Sequence, residues 1–215
     1  MKVLVTGAAG HVGGNLVRAL QERGAAVRAL GEALITRFGR LDIMLNSAAI
    51  NVPNRAWVDY EAASWEHLID VDIKGTLHCI AAVLPQMRRQ QDGLIINISS
   101  WAGRYDSVIG GVAYTASKRA MMAFTTNINM EEGRNGIRAC AICPAEVVTP
   151  LIDKRAEPVP DAVKARMLKT ENLAETILFV ARMPASVCVN EILLSPTWNR
   201  AYVGDAELEA PAGAS

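Results

Sequence analysis

Apolar residues fall in short, β-branched blocks, separated by stretches in which they recur every three or four positions. Residues 2–6 form the first block, short and apolar as a strand buried on both faces should be. A glycine-rich turn follows, then a helical pattern over about 11–23 that Gly24 closes. Further strands are predicted over 25–30, 41–45, 94–98, 137–142 and 187–194. Helices are predicted over 32–38, 64–89, 112–132, 158–167 and 171–182, with Pro85 kinking or interrupting the longest near its end. Strand and helix alternate throughout. The fold class predicted is α/β, a doubly wound parallel sheet of six strands covered on both faces. One domain is expected over 1–198. From Asn199 the chain turns to Ala, Gly, Pro and Glu, which predicts a loose tail over 199–215.

A chain of 215 residues, 51% hydrophobic, suits one large α/β domain with a sizeable core. The 22 Lys and Arg balance the 22 Asp and Glu, so the basic excess of a nucleic-acid or membrane-surface binder is absent. No apolar run approaches a bilayer span, and residues 1–7 read as a strand entering a turn rather than a signal peptide. Cys140-Ala141-Ile142-Cys143 has the look of a paired-cysteine motif. It lies in a strand-like run, however, where residues three apart point to opposite faces, and no second Cys or His cluster accompanies it. Buried thiols and no metal are expected, and a cytoplasmic location is the default.

Gly7, Gly10 and Gly13 follow the first strand and open the first helix. Glycine permits the tight turn and close backbone approach that a pyrophosphate needs, and the helix start offers free N–H groups. Tyr114 and Lys118 stand i, i+4 in a predicted helix and share a face. An ammonium beside a phenol favours the phenolate, which makes tyrosine a usable general acid/base near neutral pH. The 94–98 strand runs into Ser99-Ser100, at the sheet edge where open α/β sheets bind ligands. There a hydroxyl serves either a turn or a substrate carbonyl.

Asn97-Ile98-Ser99-Ser100, Tyr114-Thr115-Ala116-Ser117-Lys118 and the N-terminal glycines together resemble the short-chain dehydrogenase/reductase family, over nearly the whole chain. Asn46-Ser47-Ala48-Ala49 is similar to the family's N-N-A-G segment, which steadies the sheet and lines the adenosine pocket. Residues 144–149, Pro-Ala-Glu-Val-Val-Thr, are similar to its P-G-x-V-x-T segment on the nicotinamide side. The resemblance implies a Rossmann-type fold, NAD or NADP as cofactor, and a small carbonyl or alcohol substrate. It also implies a homodimer or homotetramer. Tyr114 would move the substrate proton, Ser100 would place the carbonyl, and Lys118 would hold the nicotinamide ribose and tune Tyr114. Gly7, Gly10, Gly13, Asn46, Ala48, Val147 and Thr149, with Tyr114 and Lys118, would contact the cofactor. Residues 147–167 would form the substrate lid, whose Leu151, Ile152, Lys154, Arg155 and Arg166 point to no single chemistry.

Several positions depart from the family pattern. The glycine turn has the T-G-x-x-G-x-x-G form of the extended branch, whereas the chain from about Gly39 onward is similar to the non-extended one. The stretch from Gly13 to Asn46 is too short for all the usual elements, since each β-α-β unit takes roughly 30 residues. The usual third, edge strand is therefore expected to be absent, leaving an order resembling 2-1-3-4-5. Glu32 or Arg28 is placed to read the ribose 2′ position, though either is equally a solvated charge, so NAD and NADP stay open. Asp72 stands where the family has an asparagine supporting the proton relay, and Ala49 and Ala145 replace glycines. Two readings follow. One is an oxidoreductase interconverting a secondary alcohol and a ketone. The other is a catalytically weak or inactive homologue that binds dinucleotide or serves as a structural subunit. A sugar-nucleotide epimerase rests on the first thirty residues alone.

Overall fold

The structure, a computed structural model, describes residues 3–6, 36, 39–149, 152, 155 and 158–203. Among the described residues the strands are β1 (Val3–Thr6), β2 (Ile43–Asn46), β3 (Gly93–Ile98), β4 (Ile137–Pro144) and β5 (Glu191–Leu194). They lie side by side in chain order, every neighbouring pair parallel. Thr6 stands opposite Asn46, and Asn46 opposite Asn97, so the carboxyl ends line up along one edge of the sheet. The expected doubly wound parallel architecture is present. The strand expected over 25–30, and the helices expected over 11–23 and 32–38, fall outside the described residues apart from Thr36.

Successive strand residues serve opposite faces. On one face Met44, Ile95, Ile137 and Ala139 pack against Ile80, Val83 and Met87 of α2 (Thr76–Gln90) and Ile128 of α3 (Val112–Glu132). On the other, Ile43, Leu94, Ile96, Cys140 and Ile142 meet Val180, Leu173 and Ile177 of α5 (Thr170–Ala181). Ile95 and Ile96 have no exposed surface, and each such side chain stabilises the fold by about 1.5–3 kcal/mol. Cys140 and Cys143 are both fully buried, and the Cys143 Sγ lies 3.4 Å from the Met122 Sδ. Burial pushes the Cys140 thiol up to about 12 and the Cys143 thiol up to about 11. Both belong to the core.

The helix predicted over 64–89 is instead α1 (Ala62–Ile69), a π-type turn over Asp70–Gly75, and α2. The irregularity therefore sits at Asp72, not at Pro85, through which α2 runs unbroken. Ala81 and Pro85 are both exposed, so the carbonyl that proline leaves without a donor faces water. Helix α3 has the expected span, entered from Gly111 (φ 80°) and closed at Gly133. The last strand is shorter than predicted, because the chain before it is bound otherwise: Arg138 donates to the carbonyls of Pro184 and Val187. In place of 158–167, α4 spans Asp161–Arg166. Of the tail expected over 199–215, only 199–203 lie within the described residues. Asn199 is buried, residues 200–203 form a helical turn, and Tyr202 meets Trp101 edge-on at 5.8 Å, so the chain is packed through Val203. Among the described residues no helix is long and apolar enough to cross a membrane.

Candidate active site

Tyr114 and Lys118 lie one turn apart on α3, and the Lys118 Nζ stands 5.4 Å from the centre of the tyrosine ring. Lys118 is 3% exposed, and its Nζ donates to the carbonyl of Ile98, at the end of β3, over 3.2 Å. The Ser99 Oγ donates back to the carbonyl of Lys118 at 2.8 Å. Gly103 makes this approach possible. A Cβ there would meet the Ser99 Oγ and come within 2.9 Å of the Lys118 carbonyl oxygen. Strand end and helix are thus locked together where the phenol and ammonium meet.

Ser100 caps the short 3-10 helix Trp101–Gly103, its Oγ accepting from the Ala102 N–H at 3.2 Å. The turn role weighed from the sequence is therefore real. It uses only a lone pair, and the hydroxyl proton stays available for a carbonyl.

Asp72, in the π-type turn, is 1% exposed. Its Oδ1 accepts from the Ile50 N–H at 2.8 Å, its Oδ2 accepts from the Ser117 Oγ at 3.0 Å, and that same Oδ2 lies 3.9 Å from the Lys118 Nζ. Burial pushes the Asp72 carboxyl up, while the Lys118 charge and the two hydrogen bonds hold it back. The sequence marks Ser117 only as part of the Tyr114–Lys118 motif. In the structure its one hydroxyl proton is shared between Asp72 and the Tyr114 carbonyl, 2.8 Å away. Its spacing of three from Tyr114 was the available signal.

Asn46 is buried at the end of β2 and donates to the Asn97 Oδ1 at 2.8 Å, and Asn97 donates to the Thr125 Oγ1 at 2.9 Å. This chain of amides ties β2, β3 and α3 at the same sheet edge. The Oδ1 of Asn46 is buried without a hydrogen-bond partner among the described residues. Past β4, Leu168 brackets Val147: it donates to the Glu146 carbonyl at 3.0 Å and accepts from the Val148 N–H at 2.9 Å. In such a parallel bridge the N–H and C=O of Val147 point the other way, and neither has a partner among the described residues. For the nicotinamide dinucleotide that the resemblance implies, the open amide group of Val147, the spare acceptor on Asn46 and the buried Lys118 all fit. Ala48 and Thr149 are half-buried in the same two segments. Gly7, Gly10, Gly13, Arg28 and Glu32 lie outside the described residues.

Comparison with known proteins carries the assignment further. Residues 25–159 match the family described as short chain dehydrogenase. An uncharacterized oxidoreductase of Staphylococcus epidermidis is 33% identical over 165 residues, 77% of this chain and 69% of that protein. One from Staphylococcus saprophyticus is 35% identical over 170 residues, 79% and 70% of the two chains. Among solved structures, serine dehydrogenase from Escherichia coli superimposes with a TM-score of 0.74 at 24% identity, over 91% of this chain and 98% of that one. ElxO with NADP bound gives 0.71 at 23% identity, over 81% and 73%. The match spans 135 of 215 residues and contains the Asn97–Ser100 and Tyr114–Lys118 motifs whose geometry is given above. The chain belongs to the short-chain dehydrogenase family of oxidoreductases.

Proposed function

We propose that this protein interconverts a secondary alcohol and a ketone with NAD or NADP as hydride carrier, using Tyr114 as the proton donor and acceptor. The observation that carries the reading is the placement of Tyr114 and the buried Lys118 on one face of α3, locked to the end of β3 where Ser100 stands. When bound, the dinucleotide supplies or removes the hydride at the substrate carbon. The chain's own groups do the rest. The Tyr114 hydroxyl gives its proton to the forming alkoxide oxygen, or takes it back in oxidation. Lys118, close to the ring, is placed to assist that transfer. The Ser100 hydroxyl donates to the same oxygen and orients it.

Val147 would hold the carboxamide end of the dinucleotide, Lys118 its nearer ribose, and Asn46 and Ala48 the adenosine side. Support for this cofactor comes from the fold likeness to ElxO, solved with NADP bound, and to serine dehydrogenase, solved complexed with NADP+. A panel of ketones reduced with NADPH and NADH tests the reading, with Tyr114→Phe as control. Loss of about 10²–10⁴-fold in kcat for the variant supports it, that being the range general acid catalysis commonly contributes. Equal rates for variant and wild type would overturn it.

A further inference from the structure

Arg55 lies on the segment after β2, packed against the loop that leads into Tyr114. Its Nε donates to the Val52 carbonyl at 2.9 Å and its Nη1 to the Ile109 carbonyl at 2.7 Å. Its own carbonyl accepts from Val112 N–H at the start of α3 over 3.4 Å. Gly111 sits directly on it, since a Cβ there would be 2.5 Å from the Arg55 Cβ, and the adjoining Gly110 abuts the Tyr114 ring. The guanidinium is thus fixed one short loop away from the phenol.

Two of its five N–H groups are bound, both to neutral carbonyls, and no carboxylate faces it among the described residues. Glu146, after β4, is engaged with other cations: it pairs with Arg155 at 2.8 Å and with Arg200 at 3.4 Å. Burial first, then the charge of Arg155, push the Arg55 guanidinium below its ordinary pKa, and Tyr114 acts in the opposite sense. A guanidinium does not give up its proton in a protein, and a half-buried one with three N–H groups still unbound suits an anion.

We infer that Arg55 is the anchor for a carboxylate on the substrate, so that the reaction takes an oxo acid or hydroxy acid in preference to a neutral ketone or alcohol. The inference rests on the assignment of Tyr114 as the proton donor. Arg55 is a specificity-determining residue here, holding the end of the substrate that does not react.

Matched pairs test it: pyruvate, acetoacetate and levulinate, each against its methyl ester, reduced by wild type, Arg55→Gln and Arg55→Lys. Each pair shares its ketone and differs in one charge. The expected result is a preference in kcat/KM for at least one acid over its ester of about tenfold or more, the worth of a charge-assisted hydrogen bond. In Arg55→Gln that preference disappears through a raised KM for the acid, with the ester unchanged, and Arg55→Lys restores part of it. Esters reduced as well as acids in all three pairs would overturn the inference. So would an equal loss for acid and ester in Arg55→Gln, which marks Arg55 as structural. Turnover of no ketone at all would count against the oxidoreductase reading instead. Calorimetric titration of the three acids then decides the anchor: binding by wild type that Arg55→Gln abolishes supports it, and equal binding by both, or by neither, overturns it.

Discussion

The Asp72 Oδ2 and the Lys118 Nζ lie 3.9 Å apart, with both side chains almost wholly buried. Asp72 therefore stands directly against the lysine that lies one turn from Tyr114 on the same helix. Asparagine in its place would still accept from the Ile50 N–H and would donate to Ser117, leaving that hydroxyl its bond to the Tyr114 carbonyl. In Asp72→Asn, Lys118 acts on Tyr114 without an opposing charge. Turnover near neutral pH should rise, and kcat/KM measured for both proteins against pH checks it. A profile that stays where it was would show that Asp72 has no part in tuning the phenol.

Glu132, at the end of α3, ties that helix to α2 through Arg88, whose Nε donates to its Oε2 at 2.9 Å, with Asn135 donating to the same oxygen. Mainly through the Arg88 hydrogen bond, its carboxyl falls from the ordinary 4.5 to about 2. The folded pKa lies below the unfolded one, so the ion pair's contribution is complete above about 4.5 and disappears as pH falls through about 2. Because Arg88 is half exposed and screened, Glu132→Gln should cost about 1–2 kcal/mol at pH 7. Urea denaturation of both proteins across this range checks it. The two stabilities should converge in acid, and a gap independent of pH would contradict the assignment.

Gly103 packs between Ser99 and Lys118. Gly103→Ala places a methyl against the Ser99 Oγ and 2.9 Å from the Lys118 carbonyl oxygen, forcing α3 away from the end of β3. Overpacking of this kind costs about 1–3 kcal/mol. Displacement of Lys118 should lower kcat as well, and steady-state rates beside a denaturation curve separate the two effects. A stable variant with full turnover would mean that this contact does not position the site.

Much of this site was legible in the sequence because its residues sit at fixed spacings on regular elements. Tyr114 and Lys118 share a helical face by arithmetic alone, and Ser100 follows a strand with the apolar run of a buried one. Asp72 was marked by its departure from the family asparagine. What no spacing announced are contacts across the fold: Ser117 on Asp72, Thr125 on Asn97, and Arg55 beside the loop into Tyr114, separated by dozens of residues. The π-type turn at Asp70–Gly75 was hidden for another reason. An extra residue in a helix leaves the apolar pattern nearly intact, whereas Pro85 draws attention yet sits where water satisfies the freed carbonyl.

Binding of a nicotinamide dinucleotide against Tyr114 and Lys118 is tested most simply by direct titration. Purified protein is titrated with NADPH and with NADH, following nicotinamide fluorescence or heat. Micromolar binding of one or both is predicted. Absence of binding at millimolar concentrations of either would overturn the proposed function, leaving Tyr114 and Lys118 without a hydride carrier.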